Sequence, residues 1–297
     1  MFSRFFKLIL VLFVIVLAIV LIRPESRAYL QDRLLNNGTF ARLEKLNLSF
    51  DKVRSDIKTT VENLPDPLIS KKAAVSGNLT VSVIVTETNN QRKANGLSEL
   101  GVNELLTRAA QMKLDDMFKN QYFEHESPDG KGPGEVAEAA GYRFLTVGEN
   151  LALGSFADEK DLVQAWMDSP GHRANILGTQ FTEIGIAAKK GMFKGEEVWI
   201  AVQEFGKPLS ACPEPNEAEK AYIESSTKTA EELSDTLSTL RSQIRNTSEN
   251  DKEYKELVKE YNELVGEYNA IITALKERTA SYNKSVKAFN DCVKENT

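Results

Sequence analysis

Two histidines and two glutamates carry the chemistry open to this chain. His125 stands in "YFEHESPDG" and His172 in "SPGHRANIL", and the 297 residues contain no third histidine. Each lies where an aromatic or helical segment gives way to Ser-Pro or Pro-Gly punctuation. Glu149 in "VGENLA" and Glu204 in "VQEFG" are set among apolar neighbours. A carboxylate buried there is costly unless it meets a cation, a metal or hydrogen-bond donors. Gathered around one cavity, the four side chains would satisfy one another. Neutral imidazoles and carboxylates also suit a divalent ion such as zinc, although no short H-E-x-x-H motif occurs. A histidine oriented by a glutamate is equally a general base. Ser127, two residues after His125, is the one obvious nucleophile candidate, with a plain turn in "SPDG" as the competing reading.

The elements that must position these residues are legible in the spacing. From Leu79 the chain places Val81, Ile84, Val85 and Thr88 at helical intervals until Asn95-Gly96 stops the pattern. "NELLTRAAQMKLDDMF" follows as an amphipathic helix, with Leu105, Leu106, Ala109, Met112 and Met117 on or near one face, and Tyr122-Phe123 leads from it to His125. A short helical piece, "GEVAEAAGY", precedes "FLTVGENLALGSF", which carries Glu149. The helix "DEKDLVQAWMDS" then stops at Ser169-Pro170-Gly171, beside His172. "FTEIGIAAKKG" and "EEVWIAVQEFG" alternate as the strands of a hairpin with "MFKG" near its turn, and the second carries Glu204. Helices first, then a helix between strands, then a strand pair predict an α+β domain in which helices cover a sheet.

The segments "YFEHESPDG", "GENLALG", "AWMDSPGHRANILG", "FTEIGIA" and "VWIAVQEFG" occur in the order of the CAP superfamily (cysteine-rich secretory proteins, antigen 5, pathogenesis-related 1). The chain resembles its bacterial SCP-like extracellular branch over about residues 79 to 207. The resemblance implies an α-β-α sandwich, here at 76–208, with a central cleft lined by His125, Glu149, His172 and Glu204 that can hold a divalent metal. Asn150, Ser169, Arg173 and Asn175 fall on motif positions that frame this cleft. The several disulfides of eukaryotic members are absent, so the core must hold without them. The family includes lipid-binding members and proposed proteases. Two functions therefore stand side by side: a module binding a lipid, peptide or cell-wall component, and a metal-assisted hydrolase built on the same four residues.

The flanks set the location. "MFSRFFK" is basic and residues 8–22 are uninterruptedly apolar, close to the roughly 20 residues of a spanning helix. No small-x-small cleavage site follows convincingly, so residues 1–25 are expected to anchor the chain, with the rest outside the cell, or to direct secretion if cleaved. Residues 26–75, closed by "LPDPL", read as a helical stalk. A net charge of -6 without a basic stripe excludes nucleic acid as a natural partner.

Residues 209–297 follow a different pattern. Ala230, Leu233, Leu237, Leu240 and Ile244, and after "RNTSEND" Tyr254, Leu257, Tyr261, Leu264, Tyr268, Ile271 and Leu275, recur at threes and fours. They predict an antiparallel coiled-coil hairpin, a structural arm or a surface for a protein partner. Folding it near residue 249 leaves about nine helical residues, roughly 13 Å, between the position opposite Pro215 and Cys292. The extended stretch back to Cys212 covers roughly 10 Å of that. A Cys212–Cys292 disulfide is therefore expected in an exported protein.

Overall fold

The structure, a computed structural model, describes residues 60–62, 64–70 and 77–296. The expected membrane helix and most of the stalk lie outside the described residues. Among the described residues no helix is long and apolar enough to cross a membrane.

Two short strands, β1 (Thr60–Val61) and β2 (Leu68–Ile69), come first. Helix α1 (Val81–Ala94), strand β3 (Gly101–Val102) and helix α2 (Glu104–Asn120) follow. Asn103 starts α2: its side-chain oxygen accepts from the N–H groups of Leu105 and Leu106 at 2.8 and 3.3 Å, which satisfies two otherwise orphaned donors. Helix α3 (Pro133–Ala139) leads to the long strand β4 (Phe144–Gly154). Helix α4 (Glu159–Asp168) ends at Ser169, as the sequence predicts. The same Ser-Pro-Gly run then starts a further helix, α5 (Pro170–Ile176). Proline suits the first helical position, because that N–H has no partner within the helix. The chain closes the domain with the hairpin β5 (Glu183–Phe193) and β6 (Glu196–Pro208), turning at Lys194 and Gly195 in the left-handed region.

The sheet is mixed. β4, β6 and β5 are antiparallel neighbours, β3 lies parallel to β5, and β1 and β2 both lie parallel to β4 on its outer side. Side chains alternate across it with period two. Ala152, Ile184, Ile186, Ala201 and Phe205 pack with Ile84, Leu162, Trp166 and Ile176 of α1, α4 and α5. Leu151, Ala187, Ile200 and Val202 pack with Ala110, Leu114 and Met117 of α2. Helices thus cover both faces. β1 and β2 come from the segment expected to be stalk, so the sheet extends further toward the N-terminus than the expected boundary at residue 76.

Beyond a short 3-10 turn, helices α6 (Glu217–Asn246) and α7 (Lys252–Glu295) form the C-terminal helical region. Arg278 pairs with Glu219 at 3.0 Å and lies over the Tyr222 ring, so the two helices run antiparallel. Cys212 and Cys292 are joined in a disulfide with their Cα atoms 5.7 Å apart. Leu145, Leu209, Phe289 and Val293 are buried around it, which seats the helical pair against the start of β4.

Candidate functional site

Glu149 and Glu204 are register partners on β4 and β6. The period-two alternation puts both on the α2 face, with Leu151 and Val202, while their neighbours Asn150 and Gln203 face the other way. Both carboxyls are fully buried. Burial first, and then the charge of Glu149, push the Glu204 carboxyl well above the usual carboxylate range, against the pull of Lys113. Glu204 therefore favours its neutral, protonated form.

Above this pair, His125 leaves the end of the loop that follows α2. Its Nδ1 meets Glu149 Oε1 at 2.6 Å and its Nε2 meets the Pro65 carbonyl oxygen at 2.6 Å. A carbonyl only accepts, so Nε2 carries a proton. Lys113, on the buried face of α2, donates to the His125 carbonyl at 2.5 Å and lies 5.0 Å from the centre of the Tyr122 ring. Burial pulls its ammonium below the ordinary value, opposed first by Glu149 and then by Glu204. Its charge acts on both buried carboxyls without a hydrogen bond to either among those the structure shows.

His172 stands on the first turn of α5, almost wholly buried. Its Nδ1 is 2.7 Å from Ser169 Oγ, while Nε2 has no hydrogen-bond partner among the described residues. Burial first, and then the charge of His125, push this imidazole down to about 4, with the Leu151 backbone and Asp66 opposing. On the opposite face a chain of amides ties α5 to the sheet. Asn175 donates to the Glu149 carbonyl (3.2 Å) and to Asn150 Oδ1 (2.9 Å). Asn150 donates to the His172 carbonyl and to Gln203 Oε1, both at 3.1 Å. Gln203 in turn donates to Thr88 of α1 at 2.8 Å. Arg92 holds the far end of α5, donating to the carbonyls of Ile176 and Gly178 at 2.8 Å, where a cation also favours the helix dipole.

The structure thus brings His125, Glu149 and Glu204 together and sets His172 near enough for the charge of His125 to act on it, with Asn150, Ser169 and Asn175 tying α5 to the sheet. Arg173 it leaves exposed on α5, because the residue after His172 points about 100° further round the helix. Ser127 is turned away as well. Its hydroxyl donates to Asp129 at 2.5 Å and its N–H to the Lys131 carbonyl, so it closes the "SPDGK" turn and pairs with no histidine. The side chains that spacing did not single out are Lys113, Gln203 and Thr88. For Lys113 the signal was present: Leu106, Ala110, Lys113 and Met117 continue a single helical stripe.

A metal fits this arrangement poorly. Among the described residues Glu149 Oε2, His172 Nε2 and both Glu204 oxygens lack partners, and these are atoms that could ligate. Both ring nitrogens of His125 are engaged, however, and among the described residues no group of three or more His, Cys, Asp or Glu side chains is placed to hold a cation. A four-residue zinc site would require the Pro65 carbonyl to leave His125.

That carbonyl belongs to a strap over the site. The Pro65 ring rests on Gly171, where an added Cβ would lie 2.6 Å from Pro65 Cβ. Leu64–Pro67 on one side, and Tyr122, His125 and their neighbours to Pro128 on the other, line a cavity of about 450 Å³.

Comparison with known proteins gives this geometry its context. The model of the cysteine-rich secretory protein family, CAP, matches residues 85–205. The Bacillus subtilis protein YkwD is 38% identical over 122 residues, which are 41% of this chain and 45% of that protein. The Bacillus subtilis membrane protein YlbC is 29% identical over 107 residues, 36% of this chain and 31% of its own length. The chain therefore spans less than half the length of the curated relatives it matches. A crystal structure of an SCP-domain extracellular protein from Bacillus anthracis shares 29% identity over 43% of this chain and 40% of its own, with a TM-score of 0.37. Residues 85–205, which hold both histidines and both glutamates, therefore form a CAP domain similar to those of bacterial SCP-like proteins.

Proposed function

We propose that the CAP domain is an extracellular ligand-binding module, tethered through the N-terminal apolar run, and that its ligand is held over His125, Glu149, His172 and Glu204. One observation carries the reading: four buried polar atoms of these residues, Glu149 Oε2, His172 Nε2 and both Glu204 oxygens, have no hydrogen-bond partner among the described residues. An unpaired buried polar atom costs on the order of 1–3 kcal/mol. Four together are a surface prepared for groups the chain does not supply. The Cys212–Cys292 disulfide supports an oxidising, exported location, and the name of the relative YlbC describes that protein as a membrane protein.

The test is capture. The full chain is incubated with peptides, lipid vesicles and peptidoglycan fragments, with and without chelator, and retained mass and any product are read by mass spectrometry. One class is expected to be retained without turnover, and retention to fall at least tenfold in His172→Ala, Glu204→Gln protein. Retention that survives both substitutions would place the ligand elsewhere. Chelator-sensitive turnover would make the module a hydrolase, with His125 oriented by Glu149 at 2.6 Å as its base.

A further inference from the structure

The strap over the cleft is built like a bound peptide. Thr60 and Val61 pair in parallel with Thr146 and Val147, and Leu68 and Ile69 pair with Ala152 and Leu153. The Glu62 N–H donates to the Val147 carbonyl at 2.9 Å, and the Ser70 N–H to the Leu153 carbonyl at 2.8 Å. From Thr60 to Leu68 the strap advances 68 − 60 = 8 residues, while β4 advances 152 − 146 = 6. The two surplus residues must arch off the sheet. The arch is Leu-Pro-Asp-Pro, and it delivers the Pro65 carbonyl to His125 Nε2 at 2.6 Å. Its two prolines have no N–H to leave unpaired and lose little freedom on binding.

What the strap lacks is as informative as what it has. Val61, Leu64 and Ile69 remain 42%, 37% and 59% exposed, whereas every residue of β4 is buried. A strand integral to the core would bury its apolar side chains. Leu68 alone of its aliphatic side chains packs against the core, and the backbone makes the rest of the attachment, the mode in which an extended segment adds to an open sheet edge. Without it β4 would be that edge, since β6 pairs with the other side.

We propose that the cleft's ligand is an extended, proline-bearing polypeptide segment of another protein, added to β4 as a parallel strand with a backbone carbonyl on His125, and that residues 60–62 and 64–70 occupy this place in cis. The inference rests on the reading of the cleft as a ligand site and names the class of ligand; of the four residues the strap engages His125 by a hydrogen bond, so it is this contact, and not the unpartnered atoms beneath, that the incoming backbone reproduces. It requires three things of the incoming segment: N–H groups for the Val147 and Leu153 carbonyls, a carbonyl for His125, and a flat residue that can lie on Gly171. A segment tethered in cis acts at an effective concentration on the order of millimolar. The wild-type cleft is therefore largely self-occupied, and an outside peptide must displace the strap.

The probe is a fluorescently labelled peptide, TVENLPDPLIS, the sequence of residues 60–70, titrated by anisotropy into the full chain. Glu62→Pro with Ser70→Pro removes two of the N–H donors that hold the cis strap to β4, without touching the cleft. That variant is expected to bind the peptide at least tenfold more tightly than wild type, to lose the gain when His125→Ala is added, and to ignore a peptide carrying the same two prolines. A folded variant that binds no peptide up to millimolar concentration would overturn the proposal. So would wild-type affinity equal to that of the variant. Should the double-proline chain not fold, wild-type protein answers instead. Saturating peptide is expected to speed amide exchange at residues 62 and 70 relative to a scrambled peptide, and unchanged exchange would overturn the proposal. Lipid vesicles and peptidoglycan fragments are run beside the peptide. Capture of either without the peptide refutes the peptide class while leaving the cleft a binding site, and capture of none refutes both.

Discussion

The two segments that flank the CAP domain are attached to it by opposite means. The C-terminal helical pair is fixed by a covalent bond, Cys212–Cys292, and by an apolar seat of Leu145, Leu209, Phe289 and Val293. The N-terminal strap rests on backbone hydrogen bonds to β4 and on Leu68 at the core's edge, and leaves Val61, Leu64 and Ile69 exposed. Each such bond contributes about 1 kcal/mol net, whereas burying one large apolar side chain contributes about 1.5–3 kcal/mol. The chain therefore carries one permanent appendage and one exchangeable one, and the exchangeable one covers the cleft.

Breaking the disulfide tests the permanent half and has the largest expected effect. The bond joins residues 80 apart, so loss of the crosslink should cost about 4.5 kcal/mol of hairpin stability on a chain-entropy basis. Cys212→Ser with Cys292→Ser should separate two transitions. Far-UV circular dichroism, dominated by α6 and α7, should melt first, while the fluorescence of Trp166 and Trp199, both inside the CAP domain, keeps the wild-type midpoint. A single unshifted transition would show that the apolar seat alone holds the hairpin.

The two flanks also differ in how far they can be read from sequence. The disulfide follows from counting: the apolar repeat sets where the helices fold back, and that places Cys212 near Cys292. The catalytic-looking quartet was legible because polar residues amid apolar strand residues stand out, and because the family motifs contain them. Lys113 was not, since a lysine on a helix reads as solvated until its stripe is compared with Leu106, Ala110 and Met117. The strap was hidden by its own chemistry. "LPDPL" carries two prolines, which argue against a central strand. They sit in the arch and not in the paired residues, so the pairing of residues 60–61 and 68–69 leaves almost no periodic signal. Arg173 and Ser127 share motifs with cleft residues but face away, because a motif fixes backbone position and helix or turn geometry decides direction.

The cleft beneath the strap offers a smaller, pH-dependent test. His172 is pushed from an ordinary 6.5 down to about 4, chiefly by burial. As pH falls from 6.5 toward 4, the unfolded chain takes up a proton that the native state does not. The stability due to this group is thus full above 6.5 and lost across that window, by about 3 kcal/mol at most. Glu204 has the opposite sign. Its folded pKa is raised, so its contribution is full below the ordinary carboxylate range and is lost as pH rises through the folded value. Glu204→Gln should accordingly raise the melting temperature more at pH 8 than at pH 4, and NMR should show a neutral His172 imidazole at pH 5.5. A His172 that titrates near 6.5 in wild type would mean that the strap is already open and the cleft hydrated.

The smallest expected change in overall stability is the most discriminating. In Gly171→Ala the new Cβ would lie 2.6 Å from Pro65 Cβ, nearer than side chains can pack, and a proline ring cannot swing aside. Within α5, alanine is the better helix former by up to about 1 kcal/mol. The substitution therefore strengthens the helix under the cleft while pushing the strap away, and the two effects offset in the global melting temperature. Local exchange does not cancel in this way. Amides 62 and 70 should exchange about tenfold faster than in wild type, and those of α6 and α7 should not change. Equal acceleration in the hairpin would show that the two flanks open together, and the division into a permanent and an exchangeable segment would fail.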